Sequence, residues 1–260
     1  MLFCQRKVIP MKTEEMKEFK LPKRRQPIFS KVKKILRIFM RVKVDVRCEN
    51  LPERAILVSN HSAKSGPLAF ELYYPNFHVT WGAHEMLGNY KSRYLYLRNV
   101  FYIQKQGKSK FVATIKGAFE AIFSIFFYKG IKILPTYTDM RFLYTVRNSI
   151  AVLEDGASLL IFPEDSSKGY FDELTSAFPG FVMLAEQYKN KTGEDIPIIP
   201  AYYHRKSQRL VVESPRYLSE FKDKGMSRNE IAEYFKEEIN EIYRREFKEK
   251  SNDEKVHAEA

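Results

Sequence analysis

Two segments place side chains able to do chemistry at the end of an apolar run. In Ile56-Leu57-Val58-Ser59-Asn60-His61-Ser62 a histidine follows a buried-strand pattern. Ligands of open α/β sheets gather outside the carboxyl ends of the strands, and an imidazole there can take the proton of a hydroxyl. Leu159-Leu160-Ile161-Phe162-Pro163-Glu164-Asp165-Ser166-Ser167-Lys168-Gly169 repeats the arrangement with a carboxylate. Its loop offers Glu164, two hydroxyls (Ser166, Ser167) and Lys168 to a polar substrate, though by itself it is equally an ordinary solvated loop. A third run, Asp195-Ile196-Pro197-Ile198-Ile199-Pro200-Ala201, carries prolines as edge or entry strands do and has no chemistry of its own. The remaining histidines have weaker claims. His78 lies inside a strand pattern, His84 stands beside Glu85 as a local pair, His204 follows a strand end from which it could approach the site, and His257 is in a polar tail.

These residues need a sheet to bring them together. Apolar runs predict strands at 55–59, 77–81, 131–134, 157–162, 196–203 and 210–212. Helical spacing predicts helices at 142–153, opened by Asp139, around 181–188, and at 227–248. The last begins with the capping box Ser227 to Glu230 and has a stripe of Ile231, Phe235, Ile239 and Ile242. Strands alternating with helices predict an α/β fold, a mixed sheet flanked by helices. Residues 85–128 are expected as an aromatic, basic helical insertion that buries itself or docks on lipid. From 28 to 44, Ile28, Val32, Ile35, Leu36, Phe39 and Met40 recur at helical spacing among lysines and arginines. Such a helix suits either a membrane interface or packing on the domain. The chain thus divides into a basic flexible arm (1–27), an amphipathic helix (28–47), an α/β domain (48–215) with its insertion, and a C-terminal helix and tail (216–260).

Composition narrows the function classes. The 260 residues are 44% apolar and 14% aromatic, which excludes a disordered chain. Cys4 and Cys48 cannot form a disulfide framework or a zinc cluster, so a reducing, cytosolic setting is expected. The net charge is +12, and residues 1–47, with 15 Lys and Arg against four acids, hold +11 of it. A basic arm of this kind suits an anionic surface, membrane or nucleic acid. No RNP-like, zinc-finger or helix-turn-helix pattern supports nucleic acid, so none is expected as a partner. Met1-Leu2-Phe3 leads straight into polar residues, so no secretory signal is expected. The most apolar stretch, 117–134, is interrupted by Glu120, Lys129 and Lys132, which argues against a bilayer-spanning helix.

Taken in order, the three blocks resemble the lysophospholipid acyltransferases, the family of the 1-acylglycerol-3-phosphate acyltransferases. Asn60-His61 is similar to the opening of that family's HxxxxD motif, Phe162-Pro163-Glu164 to its Phe-Pro-Glu-Gly-Thr-Arg block, and 196–200 to its Val-Pro-Ile-Val-Pro strand. Between them, 130–134 resembles the strand before the second motif, 149–156 the helix leading to the third, and 178–180 the Phe and Gly that follow it. The resemblance covers residues of about 50–215, and only the ordered set is specific. Gly66 stands where the family has the Asp that orients the histidine. Asp165 replaces a Gly, Ser166-Ser167 replace Thr-Arg, and the second-motif Arg falls near Thr136. Both phosphate-gripping arginines are therefore missing; Lys168, Arg141 and Lys64 are the nearby cations, and Glu71 or Glu85 the carboxylates that could support His61.

The resemblance implies a glycerolphosphate-acyltransferase-like fold and transfer of a fatty acyl group from acyl-CoA or an acyl carrier protein to a hydroxyl of a lysophospholipid-like or other lipid acceptor. It implies His61 as general base, and Asn60, Glu164, Ser166, Ser167 and Lys168 as substrate contacts. No metal or redox cofactor is implied. The expected place of work is an anionic membrane surface, peripherally, on its cytoplasmic face. The alternative is a catalytically impaired acyltransferase-fold protein that binds lipid.

Overall fold

The computed structural model describes residues 20–248, apart from the side chain of Lys168. Most of the arm read at 1–27 and the tail beyond 248, with Cys4 and His257, lie outside the described residues. A seven-stranded mixed sheet organises the rest, in the order β1-β7-β6-β2-β5-β3-β4. The chain runs α1 (Pro27–Phe39), β1 (Lys43–Val46), β2 (Ile56–Ser59), α2 (Ser65–Tyr73) and β3 (His78–Ala83). A 3-10 turn (His84–Leu87), α3 (Tyr90–Leu95), a π-helical segment (Tyr96–Lys105) and α4 (Lys110–Gly130) follow. Then come β4 (Ile133–Thr136), α5 (Phe142–Glu154), β5 (Ser158–Ile161), a 3-10 turn (Ser166–Lys168) and α6 (Gly180–Thr192). The chain continues through β6 (Ile198–His204), β7 (Arg209–Val212), α7 (Leu218–Lys222), α8 (Arg228–Tyr243) and a π-helical turn (Arg244–Lys248). Neighbouring strands are parallel except β6 and β7, which are antiparallel.

The central strands are apolar on both sides because helices cover both faces. Ile56 and Val58 of β2, with Leu159 and Ile161 of β5, face one core layer built from α5, α6 and α8. Ala55, Leu57, Leu160 and Ile199 face the other, where Ala69 and Phe70 of α2 meet them. The expected stripe of α8 (Ile231, Phe235, Ile239, Ile242) is buried, and its capping box forms as read: the Glu230 N–H donates to Ser227 Oγ and the Ser227 N–H to Glu230 Oε2.

Two elements differ from the sequence reading. The amphipathic helix read at 28–47 ends at Phe39, and 43–46 form β1, an edge strand paired with β7. Val42, Val44 and Val46 alternate with Lys43, Asp45 and Arg47, a period of two that suits β-branched residues in a strand. The insertion at 85–128 is not one helical stretch. It is a small helical unit with its own apolar centre of Leu97, Phe101, Tyr102, Ala113 and Ala121.

Candidate functional site

The register of two neighbouring strands brings the site together. β2 and β5 are parallel, with Val58 opposite Ile161. Three residues farther along each chain stand His61 and Glu164, level with each other beyond the carboxyl ends of the strands. The backbone N–H of His61 is close enough to the Glu164 carboxyl to favour its ionised form.

His61 is presented on a sharp turn into α2. Ser62 and Ala63 both have positive φ (44° and 54°), a conformation that side chains adopt at a cost of order 1–3 kcal/mol each. Several hydrogen bonds hold them there. Asn60 Nδ2 donates to the Tyr203 carbonyl and to Ser62 Oγ, both at 3.0 Å, and the Tyr203 N–H donates to Asn60 Oδ1 at 2.8 Å. Ser65 Oγ donates to the Ser62 carbonyl. Asn60 is thus a buried tie between the end of β2 and β6 that positions the turn, where the sequence suggested a substrate contact.

The imidazole lies between the rings of Phe162 and Tyr170, at centroid distances of 4.6 and 5.0 Å. Burial, and then the nearby Lys105 ammonium, push its pKa down to about 3, so it is neutral at physiological pH. Its Nδ1 is buried with no hydrogen-bond partner. Neither carboxylate considered for that role reaches it. Glu71 instead pairs with Lys132 (2.5 Å) and with Lys33 from α1, and its Oε2 lies 3.8 Å from His78 Nε2. Burial raises the Glu71 pKa, but His78 and the lysines outweigh it and hold the group below its ordinary value. Glu85 pairs with His84, 3.2 Å away, whose ring rests on Tyr137. Nor can Gly66 be the missing acid: a Cβ there would overlap the His61 carbonyl oxygen.

Glu164 is the complementary half. Burial pushes its carboxyl up to about 7, although the His61 N–H and Lys105 both favour the ionised form. Its Oε1 is buried and unpartnered. A cation of the site is Lys105, the last residue of the π-helical segment, whose Nζ donates to Ser166 Oγ at 2.6 Å and lies 5.5 Å from the Tyr170 ring centroid. Burial lowers its pKa, while Glu164 and Asp165 support its charge. Two of the cations anticipated from sequence are engaged elsewhere. Lys64 pairs with Glu120, Arg141 pairs with Asp139 beyond the end of β4, and the Lys168 side chain lies outside the described residues. Ser167 is exposed, its N–H donating to Asp165 Oδ1. His204 is turned elsewhere, stacked on Phe247 with Ser207 Oγ 2.8 Å away.

The groups that meet are therefore a neutral imidazole, a carboxyl that titrates near neutrality, a hydroxyl and an ammonium. This set can take a proton from a hydroxyl and hold a polar head. Among the described residues no three His, Cys, Asp or Glu side chains gather as a metal ion would require. Sequence reasoning missed Lys105, because it closes an aromatic helical run in which nothing local marks it.

A separate cavity of about 880 Å³ lies beyond the far edge of the sheet, alongside β4. Lys20, Lys23, Arg25 and Lys129 line it together with Phe29, Phe126, Ile133 and Tyr137.

No family model and no curated protein matches the chain. Among solved structures it is similar to the 1-acyl-sn-glycerophosphate (LPA) acyltransferase PlsC from Thermotoga maritima, with 16% identity, a TM-score of 0.47, and coverage of 83% of this chain and 78% of that one.

Proposed function

We propose that the protein is a membrane-associated O-acyltransferase, a divergent relative of the lysophospholipid acyltransferases, with His61 as general base. The observation that supports it best is the level placement of His61 and Glu164 on adjacent parallel strands, in the order the family's blocks would require. His61 takes the proton from the acceptor's hydroxyl as that oxygen adds to the carbonyl carbon of the acyl thioester. The tetrahedral intermediate then breaks its C–S bond, the acyl ester is released, and the departing thiolate takes the proton back from the imidazolium. No acyl-enzyme is needed. Glu164, Ser166 and Lys105 hold the polar head of the acceptor through charge-assisted hydrogen bonds. A single lysine grips a phosphate as a point charge, without the two-point fork of an arginine. The acceptor is therefore a hydroxylated lipid whose head differs from simple glycerol phosphate, and the donor is acyl-CoA or an acyl carrier protein. The place of action is a membrane surface, on its cytoplasmic side.

A second reading, a lipid-binding protein with little turnover, is favoured by the orphaned Nδ1 of His61. An imidazole without an orienting acceptor, and with so low a pKa, is a weak base. The deciding experiment measures thiol release from acyl thioesters with a panel of lysolipids and lipid alcohols. Turnover by wild type that His61→Ala abolishes supports the enzyme; equal turnover by both removes His61 as the base. An inert wild type that still binds lipid establishes the second reading.

A further inference from the structure

Helix α4 is built inside out for a water-soluble protein. An amphipathic helix on a soluble domain buries its large apolar side chains and shows polar ones to water. Here the buried positions are Ala113, Gly117, Ala121, Ser124 and Gly130. Gly117 lies directly against the backbone of Arg98, in the π-helical segment. The outer face carries Phe111 (75% exposed), Ile115, Phe119 (68%), Ile122, Phe123 and Phe126. From 111 to 127 the only exposed residue that is not large and apolar is Lys116. At 1.5 Å per residue this stripe is about 24 Å long, far more apolar surface than single scattered residues present. Its one acid, Glu120, is turned inward to Lys64 and Tyr102.

The neighbouring helix extends the same surface. Phe29 of α1 packs flat on Gly130 and edge-on to Phe126 and Phe127. Beyond that joint, Ile28, Ile35, Ile38 and Phe39 (79%) are exposed on α1 among Lys31, Lys34 and Arg37. The cavity at the junction of the two helices adds Lys20, Lys23, Arg25 and Lys129, none with an acidic partner among the described residues.

We propose that α1 and the outer face of α4 form one surface that seats the protein in a single leaflet of an anionic bilayer, the aromatic stripe among the acyl chains and the basic cavity at headgroup level. Small residues inward and large ones outward is the arrangement a helix adopts when lipid, not water, is on its outer side. α4 is long and apolar enough to cross a membrane, with a mean hydropathy of 1.5, but one side is packed against protein, so it lies in the interface plane. The flanking cations favour anionic lipid over a second copy, because a two-fold contact would set the same lysines against one another. The inference extends the membrane part of the proposed function and is independent of its chemistry.

The test uses the full chain and vesicles of phosphatidylcholine with phosphatidylglycerol. Phe119→Trp adds a fluorescent reporter at an exposed position, read against the wild-type Trp81 baseline. Its emission should shift to the blue on vesicles and be quenched by lipids brominated in the acyl chain. Phe119→Glu with Phe123→Glu should lower vesicle partitioning by at least about 100-fold, with an unchanged circular dichroism spectrum and thermal midpoint. Binding that survives the double substitution, or a reporter that stays unquenched while the protein floats with vesicles, overturns the proposal. So does lipid-free self-association that the double substitution abolishes, which would make a second copy the occupant. Vesicle binding through this face without thiol release from any thioester would remove the acyl-transfer reading alone.

Discussion

Gly66 and His61 leave no room for a side chain between them: the His61 carbonyl oxygen lies within overlap distance of where a Cβ on Gly66 would be. The α2 backbone can approach the histidine turn this closely only because residue 66 has no side chain. Supplying the family's acid by Gly66→Asp therefore pushes the turn apart instead of supporting the imidazole. We expect a loss of about 1–3 kcal/mol, a fall in thermal midpoint of roughly 2–10 °C, and no gain in turnover. A Gly66→Asp protein with wild-type melting and faster thioester consumption would contradict this account of the turn.

Glu164 and the buried histidines work against each other with pH. A carboxyl whose folded pKa is raised from 4.5 to about 7 stabilises the protein fully below 4.5, and that contribution is lost as pH rises through 7. His61 and His78, lowered to about 3 and about 4, do the reverse: stability is lost as pH falls below 6.5. Glu164→Gln removes the first effect and leaves the second. The variant should match wild type near pH 4.5 and exceed it increasingly up to pH 7, by an amount on the order of 3 kcal/mol. Urea midpoints across this range would show it; a difference that does not change with pH would not fit.

Lys105→Met should raise the KM for the acceptor roughly tenfold and leave the KM for the thioester nearly unchanged. It should also move the Glu164 titration upward, since the ammonium is one of the influences that hold it down. Kinetics against pH measure both. Equal losses for both substrates would mean that Lys105 only supports the fold.

The cluster around Glu71 is a buried charge pair whose halves depend on each other. Glu71→Ala leaves the Lys132 ammonium without its carboxylate and should cost about 3–5 kcal/mol. Replacing both residues by Met should recover most of that loss. Chemical denaturation of the single and double variants separates the pair from simple packing.

Much of the sheet can be read from the chain because its central strands are short apolar runs with turn residues at both ends. His61 and Glu164 stand out for the same reason, each being the first chemically capable residue past such a run. That they are level with each other depends on a register between segments 103 residues apart, which no local pattern encodes. β1 was hidden because a four-residue strand at the sheet edge, partly exposed on both sides, has too few residues for its alternation to stand out from the helix before it. Lys105 was hidden because its importance lies in what the π-helical segment packs against, the turn at Ser166–Lys168. Asn60 looks like a ligand contact in the sequence, and only its hydrogen bonds to Tyr203 reveal a structural tie.

Only residues 40–42 separate the end of α1 from the start of β1. A link of three residues spans at most about 11 Å, and this one is pinned at both sides: the Arg41 N–H donates to Gln208 Oε1 and the Lys43 N–H to the Gln208 carbonyl. A helix attached this tightly cannot act as a leash that lets the domain tumble. Whatever surface holds α1 also sets the tilt of all seven strands, and with it the height and direction from which a substrate reaches His61.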